Sequence, residues 1–130
     1  VLEEKTFYEL GSAFGQVCFV AESLGAKTIR GFELSPVHMW IASAIARMRG
    51  SQAVFIRQDF FEADLSQADV LYMWLIPKVS TKSCEKIIQE CQPGTVVVVF
   101  GTPLSGVTPQ KQIPVDPEDP QGLKFSVYIV

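Results

Sequence analysis

Glu9-Leu10-Gly11-Ser12-Ala13-Phe14-Gly15 places an acid, two glycines and a serine at and just behind a short apolar run, and Glu33 stands near the end of the next such run. Glycines let the backbone approach a ligand closely, and an acid at the end of the second strand of an α/β unit can accept hydrogen bonds from both hydroxyls of a ribose. Together they point to a nucleoside-containing cofactor. The dinucleotide fingerprint GxGxxG is not met, because its third glycine would fall at Gln16, so NAD is demoted. Each residue also has a plain structural role open to it. Gly11 and Gly15 can shape a strand-to-helix turn, Glu33 can sit beside the next helix's N-terminus, and Asp59 can be a turn acid. Their order at successive strand ends favours the ligand site.

The elements that must position these residues are legible in the hydrophobic pattern. Thr6 to Leu10 reads as a strand, followed by a turn and a helix with Val17, Cys18, Val20, Ala21 and Leu24 at helical spacing, ended by Gly25. Thr28 to Leu34 is a second strand. Ser35-Pro36 is a helix cap followed by proline at the first helical position, and Val37, Trp40, Ile41, Ala44, Ile45 and Met48 form the apolar stripe of the helix that Gly50 closes. Ala53 to Gln58 and Asp69 to Leu75 are strands three and four, joined by an irregular crossover weak for a helix. A helix from about Ser80 carries Cys84, Ile87, Ile88 and Cys91, and Pro93-Gly94 turns the chain into Thr95 to Phe100, whose valine run suits a strand buried on both faces. Lys111 to Val115 and Leu123 to Val130 flank a turn-rich segment and read as a terminal antiparallel hairpin. Alternating strands and helices predict a doubly wound, mostly parallel α/β sheet with that hairpin at its end, as a single domain over 1–130. Ligands of such sheets bind at the carboxyl ends of the strands.

The spacing acid-x-Gly-x-Ala-x-Gly resembles motif I of the class I S-adenosylmethionine-dependent methyltransferases, which have a Rossmann-like fold and usually carry glycine where Ala13 stands. Gly31-Phe32-Glu33-Leu34-Ser35-Pro36 looks like the family's ribose-binding motif, Gln58-Asp59-Phe60 like its adenine-binding motif, and Gln92-Pro93-Gly94-Thr95 like the turn before strand five. The resemblance covers nearly the whole chain. Phe32 to Pro36, Trp74-Leu75-Ile76-Pro77 and the Pro-rich tail are similar to small methyltransferases related to the mitochondrial protein-lysine methyltransferases. The resemblance implies S-adenosylmethionine as cofactor. Gly11, Ser12, Ala13 and Gly15 would then approach its methionine part, Glu9 its ammonium group and Glu33 its ribose. Asp59 would receive the adenine amino group, with Leu34 and Phe60 flanking the ring.

The family members that methylate adenine or glutamine nitrogens carry Asp or Asn, then Pro-Pro-Tyr or a similar aromatic, after strand four. Met73-Trp74-Leu75-Ile76-Pro77 stands there instead, so the expected acceptor is a protein lysine amine, or a small molecule, rather than an amide or nucleobase nitrogen. Trp74, with Pro103-Leu104 across from it, is a candidate wall for an alkyl chain, with a core position as its other reading. Tyr72 and Glu9 are candidate bases, and His38 reads as a surface or packing residue. Ala13 and Phe14 depart from the family pattern, so the alternative is a catalytically degenerate cofactor-binding or interaction domain.

Composition sets the outer limits. With 130 residues, 48% hydrophobic and 19% charged, the chain can bury a self-sufficient core. A net charge of -3 disfavours a nucleic-acid partner bound through a general basic surface. No apolar run approaches the roughly 18 residues of a membrane span. Three cysteines without a CxxC pair suit reduced thiols and a cytoplasmic location, and a single histidine argues against a His-rich metal site. Val1 lies close ahead of strand one, where related enzymes carry a covering N-terminal segment. The expectation is a fragment, a site completed by a partner chain or a second copy, or a degenerate binder.

Overall fold

The period-two pattern of strand four shows how the sheet is built. Leu71, Met73 and Leu75 are buried on one face, while on the other Val70 and Tyr72 are half-buried and Trp74 is exposed. The computed structural model describes residues 2–130. In chain order it contains β1 (Thr6–Leu10), α1 (Gln16–Ser23), β2 (Thr28–Phe32), α2 (Pro36–Arg49), β3 (Val54–Ile56), β4 (Val70–Leu75), α3 (Ser80–Glu90), β5 (Val96–Gly101), β6 (Lys111–Pro114) and β7 (Lys124–Ile129). The seven strands form one sheet in the order β3-β2-β1-β4-β5-β7-β6. β1 to β5 pair in parallel, and β7 enters antiparallel between β5 and β6. This is the α/β sheet with a terminal antiparallel hairpin expected from the sequence. The crossover between β3 and β4 holds only a single 3-10 turn, Phe60–Glu62.

Two apolar clusters lie on opposite faces of the sheet. One gathers Leu10, Leu71, Met73, Leu75, Val97, Val99 and Tyr128 beneath Cys84 and Ile87 of α3. The other packs Phe7, Ile29 and Phe55 against Cys18, Phe19 and Ala21 of α1 and Ala42 and Ala46 of α2. Burial on the two faces differs from the sequence expectation in three places. In α2 most of the expected stripe faces outward: Val37, Trp40, Ile41 and Met48 are exposed, Ile45 is half-buried, and the helix seats through Ala42 and Ala46 with Met39 and Ile45 beside them. Small side chains let it sit in the cluster that Phe55 of β3 and Phe19 of α1 fill with their rings. In α3, Ile88 is exposed while Cys84 and Ile87 are buried. In β5, Val97 and Val99 are fully buried but Val96 and Val98 only partly. That second face has its helices, α1 and α2, packed against β1, β2 and β3, so the β5-β7 region is left more open.

The change of winding direction falls between β1 and β4, the place where an open α/β sheet offers a crevice to a ligand. Ser35 caps α2 by accepting from the His38 backbone N–H at 3.4 Å, with Pro36 at the first helical position, as its sequence implies.

Candidate active site at the carboxyl ends of β1, β2 and β4

Behind β1 the backbone turns through three left-handed residues, Gly11 (φ 80°), Ala13 (φ 48°) and Gly15 (φ 83°). Ala13 therefore keeps the conformation for which glycine is the usual choice, at a cost of about 1 kcal/mol. The turn is tied to β2 by the Gly11 and Ser12 N–H groups, which donate to the Phe32 carbonyl at 2.8 and 3.1 Å. Glu33 adds the decisive link. Its Oε1 accepts from Ala13 N–H at 2.8 Å and its Oε2 from Ser35 N–H at 3.0 Å, so one carboxylate joins the glycine turn to the start of α2. The two carboxylate oxygens offer about four acceptor sites, which leaves capacity for hydroxyl donors.

Gly31 explains how Ser12 fits. A Cβ at position 31 would lie 2.7 Å from Ser12 Cβ and Oγ and from Phe55 Cδ1. The glycine makes room for a serine that is 3% exposed and whose hydroxyl has no hydrogen-bond partner. Buried hydroxyls are normally paired, and this one is enclosed against Gly31 with no partner among the described residues.

Glu9, at 6% exposure, accepts from the Cys18 thiol at 3.4 Å. Burial pushes its carboxyl up from 4.5 to about 7, with the Cys18 contact opposing and the Glu33 charge adding to the rise. Burial, then Glu9's charge, likewise raises the Cys18 thiol and the Tyr72 phenol, which favours the protonated form of each. Between about pH 4.5 and 7 folded Glu9 holds a proton that the unfolded chain releases, so stability is expected to fall as pH rises through that window, by on the order of 3 kcal/mol. Urea unfolding of wild type and Glu9→Gln at both ends of the window checks this: the variant should lose most of the slope, and a parallel slope would contradict it.

Glu9, Gly11, Ser12 and Ala13 line a cavity of about 360 Å³ whose other side is Tyr72, Trp74, Phe100 and Phe125, with Gln16 and Val17 of α1 at its edge. Trp74 is 70% exposed, so it is not a core residue. Its neighbours are also not those expected. Leu104 is buried in the α3-side cluster with its N–H donated to Tyr128 Oη at 2.9 Å, while Phe100 stands edge-on to the Trp74 indole at 5.3 Å. Strand pairing explains the difference, because Trp74, Phe100 and Phe125 are in register across β4, β5 and β7.

A separate depression of about 640 Å³ beyond β2 and β3 brings together Leu34, Asp59, Arg57 and Ile56. Asp59 Oδ1 caps the 3-10 turn by accepting from Phe61 N–H at 3.0 Å, which leaves Oδ2 available. Phe60 packs against the α3-side cluster and does not line this depression. His38 Nδ1 lies 2.7 Å from Ser35 Oγ and its ring rests on Phe14, in keeping with a packing role. Another depression, of about 540 Å³, lies at the amino ends of β4 and β5, but Asp69 and Thr95 there already bond to Thr6 N–H and to the Ala68 and Gln92 carbonyls. Phe100 and Phe125 were not singled out from the sequence, since only the β4-β5 and β5-β7 registers reveal them. Gly31 lay within a quoted motif, without the steric reason for it.

The arrangement fits a nucleoside carrying a charged amino-acid tail. Glu33 and the Leu34–Asp59 depression flank one end of the turn, while the Glu9 carboxyl stands at the other. Comparison with known proteins agrees. A protein-lysine N-methyltransferase of Saccharolobus islandicus (strain REY15A) is 29% identical over 119 residues, covering 89% of this chain and 74% of that one. An RNA methyltransferase from Salinibacter ruber, solved in complex with S-adenosyl-L-homocysteine, superposes with a TM-score of 0.89 at 26% identity, covering 99% of this chain and 83% of that one. A ribosomal protein L11 methylase from Lactobacillus delbrueckii subsp. bulgaricus shares the fold, with a TM-score of 0.75 at 12% identity and coverage of 99% and 72%. The sequence profile of the ANTKMT methyltransferase domain matches residues 9–111. With the profile spanning most of the chain and the strand-end residues in the family's order, the chain belongs to the ANTKMT methyltransferase domain family and is an S-adenosylmethionine-dependent methyltransferase.

Proposed function

We propose that this chain transfers a methyl group to a lysine amine of a protein. The observation that carries the choice of acceptor is the cavity between Glu9 and Trp74: it is lined by aromatic rings and one buried carboxyl, and no Lys or Arg is among its lining residues. A phosphate-rich acceptor would lack a countercharge there, whereas an alkylamine suits such walls. The similarity to the Saccharolobus protein-lysine N-methyltransferase supports the same reading.

S-adenosylmethionine supplies, when bound, a methyl group on a positively charged sulfur that an amine lone pair can displace in line. The chain's residues hold and orient. Glu33 accepts from the ribose hydroxyls with its spare acceptor sites, the turn at 11–15 lies along the methionine part, and Glu9 receives the ammonium group. Leu34 and Asp59 serve the adenine, with Phe60 supporting the turn from the core side. Because Glu9 must be ionised for this contact, cofactor affinity should rise with pH through about 7 in wild type and lose that rise in Glu9→Gln. Positioning donor and acceptor together supplies about 7 to 11 kcal/mol without a covalent intermediate. A lysine of pKa about 10.4 must also lose a proton to solvent before its lone pair can attack, at about 4.6 kcal/mol near pH 7.

Among the described residues no helix is long and apolar enough to cross a membrane, and all three cysteines are free thiols, which supports a reducing compartment such as the cytoplasm. The deciding experiment incubates the chain with a cell lysate and isotopically methyl-labelled cofactor, then analyses protein and RNA fractions by mass spectrometry. Label on lysine side chains is expected. Label confined to RNA would overturn the acceptor assignment, and tight cofactor binding with no label in either fraction would favour a non-catalytic binding domain.

A further inference from the structure

The cavity's aromatic wall is more organised than an apolar lining requires. Pairing places Trp74, Phe100 and Phe125 side by side on three adjacent strands, with centroids 5.3 Å apart in the first pair and 5.1 Å in the second. Trp74 is exposed yet held. Gly101 has φ +93°, and a Cβ there would stand 3.3 Å from the indole Cδ1 and Nε1 and 3.0 Å from the Leu75 carbonyl oxygen. The missing side chain gives the indole its seat. One step inward on the same face, the Glu9–Tyr72 pair brings the carboxyl into the same cavity. Aromatic faces carry negative potential and attract ammonium groups, most strongly at tryptophan.

We propose that Trp74, Phe100 and Phe125 form a cation-receiving site, through which the acceptor enters as an alkylammonium ion and by which the enzyme discriminates against neutral and anionic acceptors. The row stands on β4, β5 and β7, whereas Glu33 and the glycine turn follow β2 and β1, so acceptor and cofactor approach from opposite sides of the crevice. The naming of lysine rests on the function proposed above; the preference for a cation rests on the three rings.

The test uses choline and its neutral carbon isostere, 3,3-dimethylbutan-1-ol. The chain has two tryptophans, and Trp40 lies exposed on the outer face of α2, so Trp40→Phe leaves Trp74 as the only indole reporter. Choline should change its fluorescence saturably and bind about tenfold more tightly than the alcohol, equivalent to about 1.4 kcal/mol. Phe125→Leu in that background should weaken choline about fivefold and leave the calorimetric affinity for S-adenosylmethionine unchanged. Equal binding of the two probes, indifference to Phe125→Leu, or displacement of choline by S-adenosylhomocysteine would overturn the site. If Phe125→Leu does not fold, the choline-to-alcohol comparison decides on its own. A clear preference for choline in a protein that methylates no lysine would leave the cation site standing and overturn the lysine acceptor. Lysine methylation without that preference would do the reverse.

Discussion

Replacing Glu33 by alanine is expected to weaken S-adenosylmethionine binding by a factor of about 100 to 1,000. Two hydrogen bonds from ribose hydroxyls to an ionised carboxylate are together worth about 3 to 4 kcal/mol, at roughly 1.5 to 3 each with incomplete additivity. The substitution also removes the acceptor of Ala13 N–H and Ser35 N–H, so the turn loses the side chain that ties it to α2. Glu33→Gln separates the two contributions. Its amide keeps one acceptor oxygen for the turn but loses the charge and half of the acceptor capacity, and an intermediate loss of about tenfold is expected. Calorimetric titration of the three proteins measures this. Unchanged affinity in Glu33→Ala would remove the ribose assignment and leave Glu33 with only its structural part.

Gly15→Ala is expected to be the most destabilising of the conservative changes around the site, at about 2 to 5 kcal/mol. A left-handed backbone costs a side chain about 1 to 2 kcal/mol, and overpacking adds about 1 to 3. The overpacking is specific: a Cβ at position 15 would lie 2.4 Å from Phe55 Cζ and 2.7 Å from its Cε1. Phe55 is buried and meets Phe19 edge-on at 5.9 Å, so the ring has little freedom to yield. Gly11→Ala supplies the control. Its φ is similarly positive, but a Cβ there meets nothing within 4 Å, so only the backbone cost of about 1 to 2 kcal/mol applies. Urea unfolding should therefore rank Gly15→Ala well below Gly11→Ala in stability. Equal losses would show that Phe55 moves aside and that the glycine at 15 serves the backbone alone.

These two residues stand at different depths of legibility. Gly15 was identifiable as a turn glycine from its place after an apolar run, but the ring that forbids a side chain there lies on β3, far along the chain. Glu33 was placed at a strand end by pattern, yet its hold on Ala13 is visible only once β1 and β2 are paired. Ala13 looked like a departure from the family's glycine. In the folded chain it adopts the glycine-like conformation, with its N–H fastened to that same carboxylate.

The amino-acid order by itself determined the element sequence, the capped start of α2 at Ser35-Pro36, the mostly parallel sheet and the positions of the strand-end acids. Those follow from period, caps and turn residues, which act within a few positions of one another. Only the tertiary structure decided which face of α2 is buried, that Trp74 is an exposed wall and not core, and that Phe100 and Phe125 complete it in place of Leu104. The same holds for Glu9, whose carboxyl is raised by burial that no local pattern records. Register between β4, β5 and β7, and the cover that α1 and α2 give to one end of a sheet face, arise from contacts between distant segments, and side-chain surroundings are set by those contacts.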